Sequence, residues 1–250
     1  MATVKDAMDR AARYCSLTPP SDWITTTQAS YVEFKDFLDD TVDELLERID
    51  WPSPIGKVSD ISGPGTVSSS GNYSTHSLAS DYKRLMRGEF AVWEQSNTRR
   101  KGVPITQDGQ WQYLDEVGSA GAWRYYRVQG DEDDGFTIDL FRAVSATETI
   151  KINYISKYWL RLASDDSLTN DWMSADDTLL LPRRLVELGV VWRFRQRKGL
   201  GYNDVYGQYE IELTRRANDY RTARRIDMGN STMGEVHPMR VPVPDFIPSS

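Results

Sequence analysis

Cysteine and histidine are nearly absent. The chain has one cysteine, Cys15, and two histidines, His76 and His237. A lone cysteine excludes an internal disulfide and any cysteine-rich metal site, and leaves Cys15 reading as a small buried apolar residue. The histidines lie far apart in sequence, one in a strand-like stretch and one in a proline-rich tail. Neither has the nucleophile and orienting partner that a catalytic triad needs, so surface or packing roles are expected for both. No apolar run approaches the roughly 20 residues of a membrane-spanning helix, and the amino terminus lacks a signal-peptide pattern. The chain reads as cytosolic or as a component assembled from the cytosol, with no membrane partner. Basic charge is also in short supply: 30 Lys and Arg stand against 37 Asp and Glu, a net charge of -7, which argues against a protein whose main task is wrapping nucleic acid.

Phosphate and metal motifs are missing too. "GLG" at 199–201 lacks the third glycine of a dinucleotide fingerprint and follows a helical pattern, and "SGPGTVSSSG" has no Gly-Lys-Ser or Gly-Lys-Thr ending. "DEDDG" at 131–135 fails the calcium-loop pattern, because glycine falls at its fifth position and Arg142 stands where a bidentate Glu is required. It reads as a hairpin turn, with Gly135 supplying backbone freedom. The acidic pairs at 39–40, 165–166 and 176–177 read as solvated faces or helix-start charges. No cofactor or metal is expected.

What is abundant is aromatic: 8 Trp and 13 Tyr, a composition suited to interfaces. Charge is also unevenly spread. Residues 31–50 hold eight acidic and two basic side chains, whereas residues 179–228 hold eleven basic and six acidic ones. These oppositely charged segments should attract, either within a subunit or between neighbours.

Periodicity predicts a short amphipathic helix over residues 2–15 and a second over 28–50, with Phe34, Phe37, Leu38, Val42, Leu45, Leu46 and Ile49 on one stripe. Trp51-Pro52 ends it. A Ser/Gly/Pro-rich stretch over 52–72 reads as loop or irregular extended chain. From 73 to 160 the period changes to short aromatic or β-branched runs; Ile150, Ile152 and Tyr154 alternate with Lys151 and Asn153, predicting antiparallel strands. Helix returns from Pro182 to Lys198, breaks at "GLG", and resumes from Asn203 or Asp204, an antiparallel hairpin. Its predicted core is Leu185, Leu188, Trp192, Tyr206, Tyr209 and Leu213. Arg193, Arg197 and Lys198 are predicted to face a partner. The last stretch, 229–250, carries four prolines and no helical period; Val241, Val243, Phe246 and Ile247 are its predicted partner contacts. The expected fold is α+β: a helical bundle of amino-terminal helices (1–51) and carboxy-terminal hairpin (166–228), with a small inserted β module (52–165) and an extended docking tail.

Residues 154–225, "YISKYWLRLASDDSLTNDWMSADDTLLLPRRLVELGVVWRFRQRKGLGYNDVYGQYEIELTRRANDYRTARR", resemble the carboxy-terminal half of bacteriophage head-to-tail adaptor (connector) proteins. In that family a strand ending in "YIS..W" leads through an acidic loop into a "LP..L.ELG..W.....KGL.Y......YE" hairpin. The amino-terminal helix ending in "IDWP" and the aromatic strands extend the resemblance over most of 1–228. It implies a non-enzymatic virion protein at the neck, assembled in the host cytoplasm. Such a protein forms a homo-oligomeric ring, usually of twelve copies, that joins portal protein to a tail or nozzle protein while double-stranded DNA passes through its lumen without sequence-specific binding. The tail at 229–250 suits docking on portal. The alternative is a DNA-binding module using the basic hairpin; a metal-dependent enzyme using the aspartate clusters comes third.

Overall fold

The computed structural model describes residues 2–95, 100–118 and 124–222. Helix α1 (Val4–Tyr14) begins where Thr3 Oγ1 accepts the Asp6 backbone N–H at 3.1 Å, an N-cap that satisfies one orphan donor. Helix α2 (Ala29–Arg48) buries Phe34, Leu38, Val42, Leu45 and Leu46 along the expected stripe. Beyond its end Trp51 is buried and its indole N–H donates to the Leu45 carbonyl at 2.8 Å, which closes the helix terminus.

The middle of the chain corrects the expectation of a helical bundle with a small β module. Among the described residues there are five helices and twelve strands in three sheets, a mixed α+β fold with a far larger β component. One sheet places β9 (Thr149–Ser156) centrally, with β1 (Gly56–Ser62) on one side and β4 (Tyr82–Leu85) and β5 (Val92–Glu94) on the other. A second runs β2 (Thr66–Val67), β3 (Tyr73–Ser77), β8 (Gly135–Phe141), β7 (Arg124–Asp131), β6 (Gly102–Pro104); its β6–β7 pair is parallel and the rest antiparallel. The third joins three two-residue strands, β10 (Leu160–Arg161), β11 (Leu168–Thr169) and β12 (Thr178–Leu179).

The stretch read as loop holds β1 and β2. β1 buries only Ile61, and its other apolar side chain, Val58, is exposed, so it has no apolar alternation to read. In β3 the buried residue is Ser74, again silent to a hydrophobic pattern. A further helix, α3 (Asp108–Val117), buries only Trp111 and was not expected either. The hairpin turn at 131–135 is present: Gly135 has φ +85°, and Asp131 Oδ1 accepts the backbone N–H groups of Asp133 and Asp134 at 3.0 and 2.8 Å.

Two cores result. Ile61, Val92, Tyr126, Ile138, Leu140, Val144, Ile150 and Ile152 pack between the two larger sheets. The other core gathers α1, α2, Trp51, Ile55, Trp159 and Leu160 around the terminal hairpin of α4 (Arg183–Arg197) and α5 (Asn203–Thr222). Strand β9 serves both, since Ile150 and Ile152 belong to the first core and Ile155, on the opposite face, to the second. Leu185, Val186, Leu188, Val190 and Val191 are all buried, so the middle turns of α4 are covered on nearly every side by α1, α2 and α5, while its ends carry the arginines. The expected tail at 229–250 lies outside the described residues.

Gly189 marks the closest approach of α4 to α2, where an added Cβ would stand 2.2 Å from Thr41 Cγ2. Thr41 is fully buried and its hydroxyl is held by the Phe37 carbonyl at 2.6 Å, so it has little room to move. Gly189→Ala is expected to cost a net ~1–2 kcal/mol, overpacking outweighing the better helix propensity of alanine. Urea denaturation measures this; a stabilised variant would show that the helices are not in such close contact.

Candidate functional site

The basic hairpin was the strongest functional candidate, and the structure closes much of it inside the subunit. Arg193 Nη1 donates to Thr41 Oγ1 at 3.0 Å and to the Gly189 carbonyl at 3.2 Å, Nη2 bonds Glu44, and the guanidinium lies 4.5 Å from the Trp192 ring centroid. Its side chain is only 12% exposed. Lys198 Nζ meets Glu33 at 2.6 Å. In the reverse direction Arg48 of α2 forks onto Glu210 of α5 at 2.6 and 2.7 Å and also reaches Glu44 at 2.7 Å. The acidic run of α2 and the basic run of α4 therefore meet within one chain. Arg197 is exposed and forms no ion pair among the described residues. Val241, Val243, Phe246 and Ile247 lie outside the described residues.

Of the predicted hairpin core, Leu185, Leu188, Tyr209 and Leu213 are buried and Trp192 is half-buried. Tyr206 is 41% exposed and packs edge-on to Trp192 at 5.2 Å between ring centroids, while Val205 takes the inward position beside it. Tyr206 and Tyr209 are three residues apart, about 300° around a helix, which is enough to move one of them to the rim. Burial pushes the Tyr209 phenol above its ordinary range.

Histidine and buried carboxylates were tested as chemistry. Contrary to the expectation that His76 lacks a hydroxyl partner, its Nε2 lies 2.9 Å from Ser74 Oγ. Ser74 is fully buried and its oxygen also accepts the Val144 N–H at 3.1 Å, so no substrate reaches it. Nearby Asp139 is engaged by the Thr75 hydroxyl at 2.6 Å and Arg127 Nε at 2.8 Å. Burial lowers the His76 pKa, with Arg124 adding to the effect. The arrangement is a packed polar cluster of the sheet.

Asp177 is likewise structural, accepting backbone N–H groups of Ala163, Met173 and Ser174 at 3.1, 3.0 and 2.7 Å. Asp81 is buried and holds Lys57, the Tyr154 hydroxyl at 2.9 Å and the Ser156 hydroxyl at 2.8 Å. Cys15 is half-buried, and burial raises its thiol to about 11, which leaves it unreactive.

Acidic side chains do gather at one surface cavity of about 270 Å³, lined by Asp39, Asp43, Glu132 and Asp171 together with Lys83 and Lys157. Among the described residues no group of three or more His, Cys, Asp or Glu is arranged to hold a metal ion. No helix of the described residues is long and apolar enough to cross a membrane. The residues that sequence reading missed are the partners: Glu33, Glu44 and Glu210 for the basic residues, and Arg10 beside Glu187. Their only signal was the charge asymmetry, which names no contacts. Compared with known proteins, the chain matches no family model and no curated protein.

Asp39 is exposed to solvent yet partly desolvated along the cavity wall, and this, followed by the like charges of Asp36, Asp43, Asp40 and Asp171, raises its carboxyl from an ordinary 3.8 to about 6. A carboxyl whose folded pKa is raised favours the fold most at low pH and loses that contribution as pH climbs through about 6. Asp39→Asn is therefore expected to be more stable than the parent at pH 7.5, by at most about 1 kcal/mol after solvent screening, and to show no advantage at pH 4. Melting curves at the two pH values check this, and an equal advantage at both would contradict it.

Proposed function

We propose that this chain is a structural, non-enzymatic subunit of a bacteriophage head-to-tail adaptor. In this reading copies form a ring, twelve-fold in the family it resembles, at the neck of the particle. The ring joins portal protein to a tail or nozzle protein and continues the channel through which double-stranded DNA passes unread. Assembly takes place in the host cytoplasm. The observation that carries the reading is the pattern over residues 154–225. Its landmarks coincide with the joints of the helical body: "YIS" ends β9, "LP" opens α4, "KGL" separates the hairpin helices, and "YE" packs α5 back through Tyr209 and Glu210. A framework built by shape suits a part that works by contact.

The DNA-binding alternative has less support. Phosphate-backbone affinity needs a continuous run of cations available to phosphates. Arg193 and Lys198, in the middle and at the end of α4, are already held by Glu44 and Glu33, which leaves Arg183 and Arg184 apart from Arg197. The reading is tested by mixing the full chain with portal protein of the same particle and examining the product by native mass spectrometry and electron microscopy. A closed ring of copies on portal is expected; a chain that stays monomeric beside portal at every concentration would contradict it.

A further inference from the structure

Glu187 of α4 is a buried carboxylate whose surroundings are not explained by packing alone. It is 2% exposed, and three guanidiniums converge on it from the surface: Arg183 Nε at 3.1 Å and Arg10 Nε at 3.6 Å from Oε1, and Arg184 Nη1 at 3.9 Å from Oε2. Oε1 lies in the interior without a hydrogen bond of good geometry. The arginines remain 39–46% exposed. One negative charge against three positive ones leaves a surplus of two. It is set at the first turn of α4, where the helix dipole is also positive and Pro182 offers no side-chain cap. Exposed Tyr14 lies against this group, its ring centroid 5.9 Å from the Arg184 guanidinium.

A surplus of the opposite sign lies on α2. Asp36, Asp39, Asp40 and Asp43 are exposed and spaced to share one stripe, with Asp171 beside them at the cavity. Asp43 meets Lys83 at 3.4 Å, but that lysine also serves Glu132 at 2.7 Å. Asp36, Asp39, Asp40 and Asp171 form no ion pair among the described residues. Like charges at a spacing of four, as in 36–40 and 39–43, each destabilise a helix by about 0.2–0.5 kcal/mol. Among the described ion pairs only the one from Lys83 to Asp43 offsets this repulsion.

Helix α4 lies between the two surpluses. Glu187 faces α1, whereas Gly189, two residues on and about 200° around the axis, faces α2. A cationic face and an anionic face thus occupy opposite flanks of one rigid helical body, the arrangement that lets identical copies join head to tail and close a ring.

We propose that Arg10, Arg183 and Arg184 of one copy bind the Asp36, Asp39 and Asp40 stripe of α2 on the next. This rests on the ring-forming role proposed above and names the faces that make it. Arginine forks match carboxylates in paired hydrogen bonds. The charge of Glu187 draws Arg183 and Arg10 to one spot, and Gln208 Oε1 accepts Arg184 Nη2 at 3.3 Å beside them, so less side-chain freedom is lost on docking. Tyr14 adds an exposed aromatic ring beside Arg184.

The test uses two full-length variants assembled on portal protein. Arg10→Glu/Arg184→Glu reverses the cationic face while leaving Arg183 on Glu187; Asp36→Lys/Asp39→Lys/Asp40→Lys reverses the exposed stripe. Native mass spectrometry counts copies per portal, and melting curves confirm that each variant folds. Each variant alone is expected to lose assembly by roughly tenfold or more in the concentration required. An equimolar mixture is expected to recover it, because each reversed face then meets its complement on the other chain. Should the cationic-face variant unfold, the stripe variant alone still decides, since its changes lie on an exposed face. Variants that assemble as well as the parent overturn the proposed faces and leave the ring role standing. A parent chain that never assembles overturns both. If the first variant loses duplex-DNA binding while self-assembly is unchanged, the arginines serve nucleic acid and the proposal fails.

Discussion

The close approach of α4 to α2 at Gly189 and Thr41 is the constraint on which the helical body depends. With no side chain at position 189 the backbones come near enough for Phe34 and Phe194 to meet at 4.6 Å between ring centroids. Arg193, one turn further along α4, then reaches Thr41 and Glu44 across the same seam. Desolvated charges repay their burial only when geometry is good and further hydrogen bonds satisfy the remaining donors. Arg193 meets that condition through the Gly189 carbonyl and Thr41, and Arg48 meets it by forking onto Glu210. Three helices are thereby tied into one unit by apolar packing, with charge setting the register.

The β modules are attached to this unit through β9 rather than by a linker. Because successive residues of a strand face opposite sides, one strand contributes Ile150 and Ile152 to the sheet core and Ile155 to the helical core. A displacement of the sheets must therefore disturb the packing under α2 and α4. Within the sheets the same use of buried charge recurs: Arg124 lies 3.6 Å from Glu94 and 3.2 Å from Glu148, and donates to the Arg142 carbonyl at 2.6 Å. Such pairs add little net stability over apolar residues, but they penalise wrong pairings heavily.

Helices α1 and α2 were legible in the sequence because their burial follows one stripe each, as in Phe34, Leu38, Leu45 and Leu46 of α2, whereas α3 buries only Trp111 and left no stripe to read. The sheets were legible only in short aromatic or β-branched runs, as in β7, β8 and β9. Strand β1 escaped because it shows the solvent much of its side-chain surface; it is a strand through its partner rather than its composition. The two-residue strands β10 to β12 exist only by mutual pairing. For the candidate site, opposite charges could be counted along the chain, but a count assigns no partners. Arg193 finds Glu44, and Arg48 finds Glu210, only after the chain has folded back on itself. The Ser74–His76 contact was hidden for a different reason: alternate residues of a strand share a face, and the polar pair there carries no hydrophobic signature.

Taken together, the basic hairpin divides into two parts with different fates. Arg193 and Lys198 are engaged inside the subunit, while the arginines around Glu187 keep a charge surplus on the outside. The account turns on that division, and the inner half of it is the more directly measurable. A double-mutant cycle of Arg193→Ala and Glu44→Ala, read by urea denaturation at low salt, gives the coupling free energy between them. The account predicts a stabilising coupling of about 1–2 kcal/mol, as expected for neighbouring charges that share hydrogen-bond partners. A coupling within about 0.3 kcal/mol of zero, the range of independent sites, would contradict it and return Arg193 to the service of an outside partner.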